Sequence, residues 1–486
     1  MRSPIGFMSL VASFLGIAGC AATAPTSGVR WDPQVEAEVR EIARRYVDEH
    51  GIVGLSVGVA VDGVQVFAEG FGHADAARTR PVRAGTVYDI ASVGKQFTAV
   101  AILLLRERGL LRLDQRVREF VPELPPHFPD ATIEGLLRHT SGFVSGELPE
   151  LDPPAHYKQP RYGLELLGDV ELQDGRTRFA EGETWIYSNA GYLVLGLVVE
   201  AASGQRYDHF VREHVIRALE PHAMRVCEYP PEHEGSERLH RTPEGVGPVP
   251  HIEISAYAGQ GSVCSSVVDL LRWARALDTA RVLSDDSMAL LRSPSPVRGR
   301  HGTSEVPYGM GQRLGDVEGH AKVGHTGTFD GGSAALYAYP RDGLTIAVVA
   351  NTRGSGTPHA FRVEVEIARL LLGLGPPDVD AARRPIDASE RRAIEGDYTD
   401  GRVFTAILED DVLVVVRDGE EEERLVHVGG MRFRRADAPD VSEYFLLDGD
   451  RAGWWVYTNS GGYLEVLRRD ELRLELPAAT GSAVHR

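Results

Sequence analysis

The chain has 486 residues, of which 43% are hydrophobic and 25% charged, and its formal net charge at neutral pH is −18. That composition over that length predicts folded units with sizeable cores, and the acidic balance argues against nucleic acid as a partner. Three cysteines, with no C-x-x-C or H-x-x-x-H spacing anywhere, leave no set of zinc ligands, so neither a metal nor another cofactor is expected.

Residues 1–20 combine Arg2, an apolar run from Ile5 to Ile17 and the sequence Ile17-Ala18-Gly19-Cys20. The run is too short to span a bilayer and reads as an export signal. It resembles a bacterial lipoprotein signal ending in its lipobox. By that resemblance Cys20 is lipidated and becomes the first mature residue, anchoring the protein to a membrane of the cell envelope, with a plain secretory signal as the alternative. Residues 21–30 form a flexible tether. Asp32 as N-cap and Pro33 in the first turn then start a helix with Val35, Val39, Ile42 and Tyr46 along one face. A strand hairpin over 53–61 and 64–71 follows, turning at Asp62-Gly63. Ser56 lies inside a G-x-S-x-G match, but the alternation Leu55, Val57, Val59, Val61 makes it a strand residue rather than a nucleophile on a sharp turn.

Ser92-Val93-Gly94-Lys95 opens a largely apolar helix that runs unbroken to Gly109. The chain has three lysines against 49 arginines. Of these two, only lysine can give up its proton at working pH and act as base for a serine hydroxyl, and residues three apart share a helix face. Two later segments join this one in order: Trp185-Ile-Tyr187-Ser-Asn189 and Gly324-His325-Thr326-Gly327-Thr328. With S-x-x-K, Y-x-N and H-x-G in this sequence the chain resembles the serine β-lactamase and penicillin-binding-protein superfamily, in its class C-like branch of esterases, D-amino-acid peptidases and β-lactamases. L-L-R-H-T-S-G at 136–142, G-S-V-C-S-S-V-V-D-L at 261–270 and Y-G-M-G at 308–311 also match, so the likeness covers about 35–372.

The resemblance implies a role for each motif residue. Ser92 attacks a carbonyl to form an acyl-enzyme, Lys95 takes its proton, and Tyr187, with a lowered pKa, relays it to the leaving group. Asn189 holds a substrate amide or carbonyl. The backbone N–H groups of Ser92 and Thr328 form the oxyanion hole, Thr326 adds a hydroxyl, and Gly327 lets substrate come close to the strand. His325 replaces the lysine usual in penicillin-recognising relatives. Being only partly charged near neutral pH, it should weaken binding of a β-lactam carboxylate. Lys322, in K-V-G, is rejected as that lysine because three residues along a strand reverse the face. His139 is expected to be an ordinary surface or capping histidine that pins a turn, and Lys158 a solvated charge. Glu181-Gly182 stands where relatives carry Pro-Gly, with no chemistry expected of it.

The predicted fold is α/β (α+β): an antiparallel sheet flanked by helices, with a helical subdomain opposite and strands around 322–328, 333–339 and 344–350, closed by a helix over 359–372. The serine hydrolase domain spans 31–373 and a linker 374–385. Residues 386–486 form a small β-barrel that resembles the lipocalin-like C-terminal domain of some relatives, starting at Gly396-Asp397-Tyr398. Cys227 and Cys264 are either a disulfide or buried thiols. The reading is an exported serine hydrolase acting on an ester, amide or D-amino-acid peptide. A β-lactamase or penicillin-binding peptidase is one alternative, and a non-catalytic envelope binding module another. Specificity loops near 145–180 and 228–258 carry no motif that names the substrate.

Overall fold

The structure is a computed structural model that describes residues 28–469, except 127, 143–178, 220–223, 228–234, 250–257, 262, 280–281, 355, 379–381, 400–402, 418–419, 436–440 and 460–463. Cys20, Lys158 and much of the two specificity loops lie outside the described residues. Among the described residues no helix is long and apolar enough to cross a membrane.

Helix α1 (Pro33–Asp48) starts as its sequence dictates: the Asp32 carboxylate accepts from the backbone N–H of Gln34 at 3.0 Å and of Val35 at 3.1 Å. Strands β1 (Gly54–Val61) and β2 (Val64–Gly72) form the expected hairpin. Asp62 and Gly63 both take positive φ, as a tight two-residue turn between twisted strands requires. Four more strands, β3 (Arg313–Val317), β4 (His320–Phe329), β5 (Gly332–Tyr339) and β6 (Leu344–Ala350), complete one antiparallel sheet in the order β3-β4-β5-β6-β1-β2. Edge strand β3 was not foreseen, since Arg-Leu-Gly-Asp-Val has weak strand propensity and little alternation.

Both faces of the sheet are covered, which is why β5 is buried along its whole length. On one face α1 and α6 (Ala360–Leu371) pack Val39, Ile42 and Ile367 against Val57, Tyr337 and Val348. On the other, α2 (Lys95–Glu107) and α5 (Val267–Asp278) join a core with Leu336, Ala347 and Val349, which continues into the helical subdomain through α3 (Ile133–Leu137) and α4 (Asn189–Ser203). Ser56 is buried in β1, its hydroxyl 2.8 Å from that of Tyr88, so it is a strand residue as its alternation indicated.

Lys322 and His325 do point to opposite faces of β4. The Lys322 ammonium is buried with the Glu364 carboxylate at 3.0 Å and lies 3.9 Å from the Tyr337 ring centroid, on the α6 side. Cys227 and Cys264 form a disulfide, joining Arg225–Val226 to its antiparallel neighbour Val263–Ser265.

A closed eight-stranded barrel follows: β7 (Gly396–Thr399), β8 (Val403–Glu409), β9 (Val412–Arg417), β10 (Glu420–Gly429), β11 (Arg432–Arg434), β12 (Val441–Asp448), β13 (Arg451–Asn459) and β14 (Leu464–Arg469). Alternating residues fill its interior, where Tyr398, Phe445 and Trp455 meet with ring centroids 5.4–5.6 Å apart. Gly396 suits the first strand because its φ of +149° is a backbone conformation that residues with a Cβ rarely adopt.

Because Lys322 is a core ion-pair partner, Lys322→Met should strand the Glu364 charge and cost about 3–5 kcal/mol. Denaturant unfolding should show that loss, and Lys322→Met/Glu364→Leu should recover most of it.

Candidate active site

Ser92 sits in a tight 3-10 turn, Ala91–Gly94, that runs directly into α2. Ala91 takes φ +47°, the left-handed region unfavourable for a residue with a Cβ, and its N–H is held at 2.8 Å by the Asp89 carboxylate. Burial raises the pKa of Asp89 to about 6. The turn has little room. A Cβ on Gly94 would approach Gly261 to 3.1 Å, and one on Gly261 would approach Ala91 to 2.9 Å. The two glycines let the 259–261 segment cross the nucleophile turn, which brings the Gln260 carbonyl to Lys95.

Lys95 is fully buried at the first position of α2. Its Nζ lies 3.0 Å from Ser92 Oγ, 2.8 Å from Asn189 Oδ1 and 2.7 Å from the Gln260 carbonyl, and none of these partners is a carboxylate. Desolvation, aided by the nearby Arg313 guanidinium, holds its pKa well below the ordinary lysine range. A neutral amine has two N–H groups and one lone pair. Two carbonyl oxygens take the N–H groups, so the lone pair is left for the Ser92 hydroxyl.

Tyr187 closes the group by donating to Ser92 Oγ at 2.8 Å. Its pKa is raised, not lowered: burial outweighs the Arg313 charge and the hydrogen bond to Ser92. Tyr187 therefore rests as a neutral phenol, and the sequence-based expectation of an acidic tyrosine is corrected. Asn189, the first residue of α4, accepts from Lys95 through its Oδ1.

His325 and His139 both depart from expectation. His139 is buried, not a surface residue, and takes φ +59°. It does pin a turn, since its Nδ1 accepts the Ser188 N–H at 3.1 Å and its carbonyl accepts the Ile186 N–H at 2.8 Å. Its Nε2 is 3.1 Å from the Tyr308 hydroxyl, which lies 3.1 Å from Nε2 of His325; His325 Nδ1 lies 2.5 Å from the Thr326 carbonyl. One proton assignment satisfies every partner. His139 Nε2–H donates to Tyr308, Tyr308 O–H donates to His325 Nε2, and His325 Nδ1–H donates to Thr326. Both rings are neutral in it, in agreement with their pKa values, which burial first and the Arg313 guanidinium further push well below the usual histidine range. His325 is thus not partly charged. It orders the strand.

Gly327 is where β4 comes close to the nucleophile turn. A Cβ there would lie 2.1 Å from the Ile90 carbonyl, so its smallness lets β4 pack on the nucleophile turn. Pairing with β3 ends at Gly324, and beyond it that edge of β4 has no strand neighbour among the described residues. Alternation places Thr326 and Thr328 on the face opposite His325, and the Thr328 hydroxyl lies 3.4 Å from His359 Nδ1. The Glu181 carboxylate accepts from Thr132 N at 3.0 Å and from Arg116 at 2.8 Å, tying the Tyr187 loop to the start of α3.

Arg313 is absent from the motifs read in the sequence. Its guanidinium is 5.5 Å from the Tyr187 ring centroid, and its buried Nε and Nη1 have no hydrogen-bond partner among the described residues. As one of 49 arginines it carried no signal; only the structure sets it beside the cleft.

Residues 39–369 match the sequence profile of the family described as Beta-lactamase. The chain belongs to the beta-lactamase family. Among its relatives, penicillin-binding protein 4 of Amycolatopsis lactamdurans is 29% identical over 70% of this chain and 92% of its own length. D-aminopeptidase of Brucella anthropi is 24% identical over 93% and 80%. In fold the chain is similar to the octameric penicillin-binding protein homologue from Pyrococcus abyssi, with a TM-score of 0.59 and 21% identity over 90% of this chain and 98% of that one. The family is one of serine hydrolases, and S-x-x-K, Y-x-N and H-T-G of this member converge on one serine.

Gly327→Ala should push β4 off the nucleophile turn. Turnover should fall by roughly 10²-fold, as a misplacement of about 1 Å does, with the circular-dichroism spectrum unchanged.

Proposed function

We propose that this family member is an exported serine hydrolase that cleaves esters, amides or D-amino-acid peptides through an acyl-enzyme at Ser92. The observation that carries the reading is the environment of Lys95, a buried amine with two carbonyl acceptors, no carboxylate bound to it and its third contact at the Ser92 hydroxyl. In this reading Lys95 accepts the Ser92 proton as Oγ attacks the carbonyl carbon. The N–H groups of Ser92 and Thr328 take up the charge on the carbonyl oxygen. Tyr187 donates its phenolic proton to the departing alcohol or amine and regains one from Lys95. Water then cleaves the acyl-enzyme by the same groups in reverse.

Arg313 favours one group of substrates within that class. A buried guanidinium beside the Tyr187 ring, with its Nε and Nη1 unpartnered among the described residues, fits an acyl compound carrying a carboxylate, such as a peptide C-terminus or a β-lactam. This supports a penicillin-binding peptidase or β-lactamase as second reading, because the charge that neutral His325 lacks is supplied from β3. The relatives named D-aminopeptidase and penicillin-binding protein fit both readings. Export and anchoring through Cys20 are part of the proposal, resting on the 1–20 sequence and on the Cys227–Cys264 disulfide, which suits an oxidising compartment. Radiolabelled palmitate should be incorporated into the full chain and not into Cys20→Ser.

Hydrolysis of a short-chain p-nitrophenyl ester tests the chemistry. Ser92→Ala should lower kcat by roughly 10⁶-fold, and persistence of turnover would discard Ser92 as nucleophile. Activity needs neutral Lys95, so kcat/KM should rise with pH through a limb set below the ordinary lysine range. Removing the Arg313 charge in Arg313→Gln makes the ammonium easier to form and should move that limb to higher pH. A limb that stays in place would assign it to another group.

A further inference from the structure

Tyr187 reaches Ser92 from a loop that is held on two sides. The hydrolase domain fixes it from within, through the backbone N–H groups of Ile186 and Ser188 on His139. The barrel holds its other side. The Arg468 guanidinium of β14 pairs with the Glu183 carboxylate at 2.9 Å, both groups almost wholly buried. The Trp454 indole N–H of β13 donates to the Glu183 carbonyl at 3.1 Å. Trp185 packs in one buried cluster with Trp454, Val456 and Val466 of the barrel, together with Tyr308, and Tyr187 lies against that cluster.

We propose that the C-terminal barrel is a working part of the catalytic unit: Arg468 and Trp454 clamp Glu183 and Trp185, and so set the position from which the Tyr187 hydroxyl reaches Ser92. The inference rests on the proton-relay role of Tyr187 proposed above. Three features separate the clamp from a casual domain contact. The first is location, since Glu183 is only four residues from Tyr187 and the Trp185 ring between them is 6.2 Å from the Tyr187 ring and 5.4 Å from Tyr308. The second is the nature of the pair. Glu183 Oε1 is buried with no hydrogen-bond partner among the described residues, while Oε2 is shared by Arg468 and the Ala180 N–H. Without the arginine a buried carboxylate would be left largely uncompensated, and the loop would move to reach water. The third is a second attachment: the Asp448 carboxylate at the end of β12 accepts the N–H groups of Arg300 at 2.8 Å and His301 at 2.7 Å. These residues belong to the hairpin of Ser295–Arg298 and Thr303–Val306, in which Arg298 N donates to the Gly182 carbonyl at 2.7 Å. The barrel therefore grips the loop directly and through its neighbour.

Arg468, Trp454 and Glu183 are positioning residues, and ester hydrolysis by the full exported chain tests them. Arg468→Met should lower kcat tenfold or more with KM within about twofold, because the acyl-binding groups are untouched and only the relay is displaced. Arg468→Lys, which keeps a charge, should recover most of the loss. Trp454→Phe keeps the packing and deletes the N–H, and should lower kcat about threefold. Folded Arg468→Met and Trp454→Phe proteins that both turn over at the wild-type kcat would overturn the clamp. If Arg468→Met does not fold, Trp454→Phe decides alone: an unchanged kcat overturns the proposal and a reduced kcat at constant KM upholds it. The Ser92→Ala control separates the two levels. Turnover that survives it removes the catalytic reading and the clamp together, whereas Ser92-dependent turnover indifferent to the barrel variants removes only the clamp.

Discussion

The burial of one amine beside carbonyl oxygens and away from carboxylates governs this architecture. A lysine among acids would be held as an ammonium and could accept nothing. Among the described residues Lys95 instead hydrogen-bonds to the Ser92 hydroxyl, the Asn189 amide oxygen and the Gln260 carbonyl, under a desolvation that disfavours charge. Each contact draws in a different part of the chain. Asn189 requires the start of α4 at the site, Gln260 requires the glycine crossing at Gly94 and Gly261, and Ser92 requires the strained turn at Ala91. The disulfide adds a covalent tie to the strand that leads out of the crossing.

A second constraint is the accounting of protons through His139, Tyr308 and His325. The line has as many donors as acceptors only while both imidazoles are neutral. It joins the Tyr187 loop to the H-T-G strand without placing a charge between them. A lysine at position 325 would bring only donors to the Tyr308 hydroxyl, which would then have to give its own proton elsewhere. The positive charge of the cleft is carried by Arg313 instead, on the neighbouring strand, where it does not disturb the histidines' hydrogen bonds.

Much of this was legible in the residues. The Asp62-Gly63 turn was readable because its backbone needs positive φ, which few dipeptides supply. The Ser92–Lys95 pair was readable because lysine is so rare here, and the barrel because apolar residues alternate from Val403 onward. What escaped depends on neighbours far along the chain. His139 looks like a surface residue until Trp185, Tyr192 and Tyr308 close around it. Tyr187 has its pKa raised because desolvation depends on everything packed against it, whereas the expected lowering considered only the adjacent donors. The close approach of the Ile90 carbonyl to Gly327 likewise joins residues far apart in the chain. Arg313 and Arg468 belong to the commonest charged type in the chain, so composition hid them.

The order β3-β4-β5-β6-β1-β2 has a temporal meaning. Strand β1 pairs with β6, Leu55 against Ala350, so neighbours in the sheet leave the ribosome about 295 residues apart. At a synthesis rate of ~5–20 residues per second that gap is roughly 15–60 s. Ser92 and Lys95 emerge early, but the sheet they lean on closes only after the last hydrolase strand is made. A nascent chain therefore carries the nucleophile without its surroundings, and the serine is inert until the fold is complete.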